Sequence, residues 1–224
     1  MADALHVKHL IDRARELGAD RAAPLPASSV VVDERVRLKC RVPRCSSYGR
    51  NLMCPPHVPG PEETRAALAR YTDVLLVQQD IPVTQAEVAA ALDGMSYAES
   101  RALPEDGAMA ATSHTETAGG GGTAADCEND IVAAQNAFAK LMTALETDAF
   151  KLGYRFAAAF AGGDCVLCEV CEGVDDGVCR HPFAARPSAE AVGVDVVATA
   201  RAAGLEIEMP AAERPSWTGM LLID

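Results

Sequence analysis

Apolar positions return at helical spacing in several stretches of the chain. Val7, Leu10, Ile11, Ala14 and Leu17 define an amphipathic helix that Gly18 can end. "GPEETRAALARY" (60–71) predicts a second helix, with Pro61 at its first position and Glu62 and Glu63 in the first turn, where acids complement the helix dipole. "TQAEVAAALD" (84–93) reads as a short helix capped by Thr84. The longest pattern runs through Ile131, Ala134, Phe138, Leu141, Met142, Leu145, Ala149 and Leu152, with Gly153 as its stop. "VDVVATARAAG" (194–204) predicts a helix ending at Gly204, and Ser188 and Asp195 stand as caps.

Strand patterns fall between these helices. "TDVLLVQQD" (72–80) is an apolar run of buried-strand length. "SSVVV" (28–32) predicts a short strand, with "RVRLK" (35–39) as its partner after a turn at Asp33–Glu34. "YRFAAAF" (154–160), "LEIEM" (205–209) and "GMLLID" (219–224) complete the set. This alternation implies an α/β or α+β fold: a small mixed sheet with flanking helices and two cysteine-rich metal-binding loops, in a single domain spanning 1–224. From about 94 to 126 the pattern dissolves into Gly, Ala, Ser and Thr, which predicts a flexible, solvent-exposed insertion.

Charge narrows the function. The net charge is −12 and no basic stripe is present, so a nucleic-acid partner is not expected. The nearest candidate, "DERVRLKCRVPRC" (33–45), places its cations beside cysteines, where they lower thiol pKa values and offset a thiolate-bound cluster, or else form a solvated face. The first twenty residues carry charge throughout, unlike a secretory leader, and no apolar run has the length of a membrane span. A cytoplasmic setting is expected, in which clustered thiols stay reduced and serve as metal ligands or reactive groups rather than disulfides.

The thiols fall into two groups. "CVLCEVCEGVDDGVC" places Cys165, Cys168, Cys171 and Cys179 in one short segment. Three-residue steps let successive thiolates reach different irons of a cubane cluster, and the two glycines before Cys179 allow the chain to wrap back as the fourth ligand. Zinc, which favours two close pairs separated by a longer loop, is the alternative. His181 is placed either to hydrogen-bond the site or to stand exposed in a turn.

Cys40, Cys45 and Cys54 form the looser group, with Pro55 following the last cysteine and Gly49 allowing a bend between ligands. A fourth ligand is missing. Cys127, His57 or a non-protein group each remain open for that position. Two centres are expected rather than one, because the second group is complete in itself.

Three segments carry a family resemblance: "KCRVPRCSSYGRNLMCPPHVPGPEET", "AFAGGDCVLCEVC" and "CRHPFAARPSAEAVGVDVVATARAAG". The Cys-x-x-Tyr-Gly step from Cys45 to Gly49, the Cys-Pro-Pro at Cys54–Pro56, the stepped triple from Cys165 and the Arg-Pro-Ser at Arg186–Ser188 resemble a family of small cysteine-rich proteins. That family, domain of unknown function 2284, occurs mainly in anaerobic bacteria and archaea and is described as predicted metal-binding proteins. The resemblance implies metal-ligand roles for Cys40, Cys45, Cys54, Cys165, Cys168, Cys171 and Cys179. The Gly/Ala-rich insertion and Cys127 have no clear counterpart in it.

Together these readings predict an iron–sulfur protein, with one or two clusters of 4Fe-4S type, that exchanges electrons with a redox partner protein. Its acidic surface would steer docking onto a basic patch. The alternatives are an enzyme whose three-cysteine cluster leaves an iron open to substrate, and a zinc-stabilised interaction module. No phosphate loop, dinucleotide fingerprint, His-Glu-x-x-His motif or nucleophile elbow is present.

Overall fold

The computed structural model describes residues 3–84, 124–207 and 215–224, and the side chains of 130 onward in the second segment. The helix expected over 84–93 and most of the insertion lie outside the described residues.

Helix α1 spans Ala4–Glu16 and is capped by Asp3, whose carboxylate accepts from the Leu5 N–H at 2.8 Å. It buries Leu10 and Ala14. Strand β1, Arg21–Pro26, contains two prolines and is not apparent from hydrophobic alternation. Proline is tolerated there because, among the described residues, β1 is a sheet edge that pairs with β2, Asp73–Asp80, alone.

The strand pair expected over 28–39 is absent. Ala27–Ser29 forms a single 3₁₀ turn, and 34–41 is helix α2 (Glu34–Arg41). Asp33 decides this locally: it is extended, and its side chain accepts from the Arg35 N–H, so the Asp33–Glu34 pair that suggests a turn is a helix N-terminus. Val32 contributes only an isolated bridge to Val194.

Helix α3, Pro61–Leu68, begins where expected, with the Glu63 carboxylate reaching back to the Gly60 N–H at 2.9 Å. Helix α4, Ala124–Lys151, starts before the end expected for the insertion and carries the long apolar pattern. Strand β3 keeps only Ala158–Phe160 of its expected length. One turn of helix α5, Gly173–Asp176, lies inside the second cysteine segment. A 3₁₀ turn at Glu190–Val192 precedes α6, Val196–Ala202, whose cap Asp195 accepts from the Ala198 N–H. Leu205–Ile207 is not a strand, whereas β4 covers Ser216–Ile223.

The sheet order is β1-β2-β4-β3, and the strand pairings described within it are antiparallel, which makes the class α+β. The register pairs Leu75 with Leu221 and Leu76 with Met220. Odd-numbered Leu75, Val77, Leu221 and Ile223 face α1 and α4, packing on Leu10, Phe138, Met142 and Leu145. Even-numbered Val74, Leu76, Met220 and Leu222 face the opposite layer, with Leu68, Val192, Val194 and Ala200. Burial on both faces explains why β2 reads as an unbroken apolar run rather than an alternation.

Buried polar contacts fix where the cysteine segments leave this core. Arg186 forks onto Glu146 of α4 with contacts of 3.0 and 2.6 Å, and Glu146 also accepts from the Ala159 N–H of β3. The Ala161 N–H donates to Pro187 O at 2.9 Å. The entry to the four-cysteine segment and its exit are therefore tied to one point on the sheet.

Candidate metal centre

Cys40 sits on the last turn of α2, three residues beyond Arg37. The Arg37 guanidinium donates to Pro59 O at 2.7 Å and to Ala191 O at 2.8 Å, pinning α2 against the 3₁₀ turn. Beyond the helix the chain doubles back, and the Cys45 N–H bonds Cys40 O at 3.0 Å. Gly49 takes φ +75° and its N–H donates to Pro55 O at 2.8 Å, so the chain after Cys54 folds back onto the bend that follows Cys45. Cys54 is buried, and Cys40 and Cys45 are half-buried.

The second group follows β3. Gly162 and Gly163 pass under the single tryptophan, where a β-carbon on Gly162 would meet Trp217 Cε3 at 2.9 Å. Cys165, Cys168, Cys171 and Cys179 then line one shallow recess together with Asn51 and Leu52. The α5 turn brings the chain round between Cys171 and Cys179. Gly173 is needed there, since a β-carbon would lie 2.4 Å from Val178 O and 2.7 Å from Leu52 Cδ1. The His181 main-chain N–H donates to Cys179 Sγ at 3.3 Å, and the residue itself is exposed, the second of the two placements expected for it.

The two groups are joined. Asn51 is buried; its Nδ2 donates to Cys165 O at 2.7 Å while its Oδ1 accepts from the Met53 N–H at 2.9 Å. Ser47 Oγ donates to Asp164 Oδ2 at 2.5 Å. Neither link is visible in sequence, because more than a hundred residues separate the partners. Asp164, next to Cys165 in "GGDC", was not singled out by spacing, although its adjacency to a cysteine is a signal.

The thiols share one electrostatic field. Burial pushes the Cys54 thiol far above its ordinary range, and Asp164, Cys45, Cys40 and Cys165 push the same way. Burial also raises Cys40, Cys165 and Cys168, and neighbouring thiols add to it. Burial and mutual repulsion both disfavour thiolates, and a bound cation reverses both effects, so loading of this site must release protons. Among the described residues no three His, Cys, Asp or Glu side chains close on a single point. Neutral thiols have no attraction that would draw them onto one.

The donor set fits a thiophilic metal or an iron–sulfur cluster: four sulfurs on one recess, and three more across Asn51. His57 is exposed, and the Cys127 side chain lies outside those described. No helix among the described residues is long and apolar enough to cross a membrane.

Neither the curated proteins nor the solved structures contain a match to the chain. Residues 23–223 match the family model described as "Predicted metal-binding protein (DUF2284)", a span that includes both cysteine groups, and the chain belongs to that family.

Proposed function

We propose that this chain is an iron–sulfur protein that transfers single electrons to and from a cytoplasmic redox partner. Cys165, Cys168, Cys171 and Cys179 hold a 4Fe-4S cluster, and Cys40, Cys45 and Cys54 hold a second centre. The observation that carries this reading is the placement of four thiols, spaced in three-residue steps and closed by a fourth, around one recess. The N–H donated to Cys179 Sγ supports it, because hydrogen bonds to ligand sulfurs tune cluster potential. The Asn51 side-chain bond to Cys165 O, from a residue three positions before Cys54, supports internal electron exchange between the groups.

Val170, Val178 and Phe183 are exposed beside the recess, in a segment that also carries Glu169, Glu172, Asp175 and Asp176. An apolar contact ringed by acids suits a transient partner with a basic docking face. The test is anaerobic purification and reconstitution, with iron, acid-labile sulfide and zinc quantified per chain, followed by a reductive titration monitored by electron paramagnetic resonance. Iron and sulfide at cluster stoichiometry with reversible one-electron reduction are expected. Stoichiometric zinc without sulfide, or a fully loaded protein that is redox-silent, overturns the proposal.

A further inference from the structure

Cations crowd one stretch of this acidic chain. Arg35, Arg37, Lys39, Arg41, Arg44 and Arg50 lie between positions 34 and 50, against Glu34 alone, although the net charge of the chain is −12. Folding sorts them. Arg37 turns inward onto Pro59 O and Ala191 O, and Arg35 pairs with Asp33 at 2.6 Å. Lys39, Arg41 and Arg50 are exposed, and among the described residues no acid pairs with them.

Helix α2 has no buried residue. Val36, Arg37 and Cys40 form its half-buried side, and Leu38 is 55% exposed. The chain then turns between Cys40 and Cys45. Arg41 and Arg44 face each other across an isolated antiparallel bridge, and the Cys45 N–H closes the base of the turn on Cys40 O at 3.0 Å. Val42, 68% exposed, and Pro43 stand at the tip. Arg44 is kept beside the turn by its bond to Tyr48 O at 3.3 Å and by the Tyr48 ring. A small apolar tip bracketed by two guanidiniums therefore projects between two of the three thiols.

A merely solvated face accounts for the charges but not for Leu38 and Val42, exposed four positions apart at the same helix end. The apolar members, Leu38, Val42 and Pro43, fall far short of the roughly 20–30 residues a side of a stable interface. A two-turn helix with one exposed leucine likewise offers little to a membrane. Electron-transfer encounters bury less than about 1,200 Å² and draw on charge at the rim, which is what this end of α2 supplies.

We propose that the end of α2 and the 41–44 turn form a docking face for an acidic one-electron carrier protein, which exchanges its electron with the three-cysteine centre. The acid-ringed four-cysteine segment then meets the basic partner, and the chain passes electrons between carriers of opposite charge. In the step at α2 the carrier loses one electron and the centre gains one; no bond forms or breaks. This rests on the reading that both cysteine groups hold redox centres.

The probe is a plant-type 2Fe-2S ferredoxin, a small acidic carrier. Its oxidised form is titrated into reconstituted protein by calorimetry, and its reduced form is mixed with oxidised protein in stopped flow. Lys39→Glu/Arg41→Glu should weaken binding and slow transfer about tenfold or more. Lys8→Glu/Arg15→Glu makes the same change of charge on α1, which packs on the other face of the sheet, and should leave both readings near wild type. Salt separates the local patch from the whole-molecule charge. Two acidic proteins governed by net charge meet faster as salt is added, whereas docking on the basic turn predicts weaker binding and slower transfer. An α2 variant that binds and reacts like wild type, or a wild-type rate that rises with salt, overturns the proposal. So does a wild-type dimer that the α2 variant dissociates in sedimentation, or wild-type binding to phosphatidylserine vesicles that the variant loses, since each gives the face another occupant. Lys39→Gln/Arg41→Gln should show a smaller loss in the same direction, and it decides the point if the reversed variant does not load metal. If dithionite fails to reduce the loaded protein, the redox reading fails and calorimetry still tests the docking face. If dithionite reduces it but the ferredoxin neither binds nor reacts, the docking face alone is wrong.

Discussion

Asn51→Ala should uncouple the two cysteine groups. Asn51 spans them with two hydrogen bonds of 2.7 and 2.9 Å and is only 8% exposed. Its removal deletes both bonds, at about 1 kcal/mol each, and strands the Cys165 carbonyl and the Met53 N–H with incomplete access to water. A total of about 2–4 kcal/mol follows. With a urea dependence of about 2–3 kcal/mol per M for a chain of this size, the unfolding midpoint should fall by about 1 M. Trp217, the single tryptophan, stacks on Gly162–Gly163 at the entry to the second group, so its fluorescence reports this transition on metal-free, reduced protein. Asn51→Asp keeps the acceptor for Met53 but turns an oxygen toward Cys165 O, and should be at least as damaging as the alanine variant. On reconstitution, both variants should bind less metal at the second group. An Asn51→Ala midpoint within about 0.2 M of wild type, together with full metal content, would refute the claim that this side chain couples the groups.

Three further outcomes are expected. Glu146→Ala leaves Arg186, whose side chain is 13% exposed, without its carboxylate; a loss of about 3–5 kcal/mol is expected by chemical denaturation. A loss below about 1 kcal/mol would show that the pair is not a structural tie. Gly173→Ala drives a β-carbon toward Val178 O and Leu52, so metal content after reconstitution should drop while the circular dichroism of the sheet and long helices persists; unchanged metal content would count against the close packing of that turn. Asp148 is held below the usual carboxylate range by the Lys151 ammonium and then by the Arg13 guanidinium, so its contribution to stability is present above about pH 4 and is lost as pH falls through its lowered pKa. The stability gap between wild type and Asp148→Asn should therefore be widest near neutral pH and close in acid, which acid titration of both proteins checks.

Much of the scaffold was legible along the chain because it depends on local signals. The periodicity from Ile131 to Leu152, the buried run of β2, the helix start at Pro61 and the cap at Asp195 each specify their own element through neighbours a few residues away. The segment 28–39 defeated that reasoning, since alternating Arg, Val, Arg, Leu and Lys fits a strand and a solvated helix equally, and the Asp33 cap settles the choice. Strand β1 was hidden by its prolines, which only an edge position admits.

The candidate site divides in the same way. Thiol chemistry and three-residue spacing are properties of the sequence, so Cys165, Cys168, Cys171 and Cys179 stand out before any folding is considered. The partners that bring the groups together act across the fold. Asn51 meets Cys165 114 positions away, and Arg37 meets Ala191 154 positions away. Burial, moreover, has no signature in a single acidic residue. Glu190 is an ordinary glutamate in "RPSAEAV", and only tertiary packing shuts its Oε2 off from the water that would otherwise solvate it. The sequence alone determined which atoms are available to hold a metal, because ligand chemistry belongs to each side chain. The tertiary structure decided which of them share one desolvated field, because solvent exclusion and through-space charge exist only once distant segments have packed.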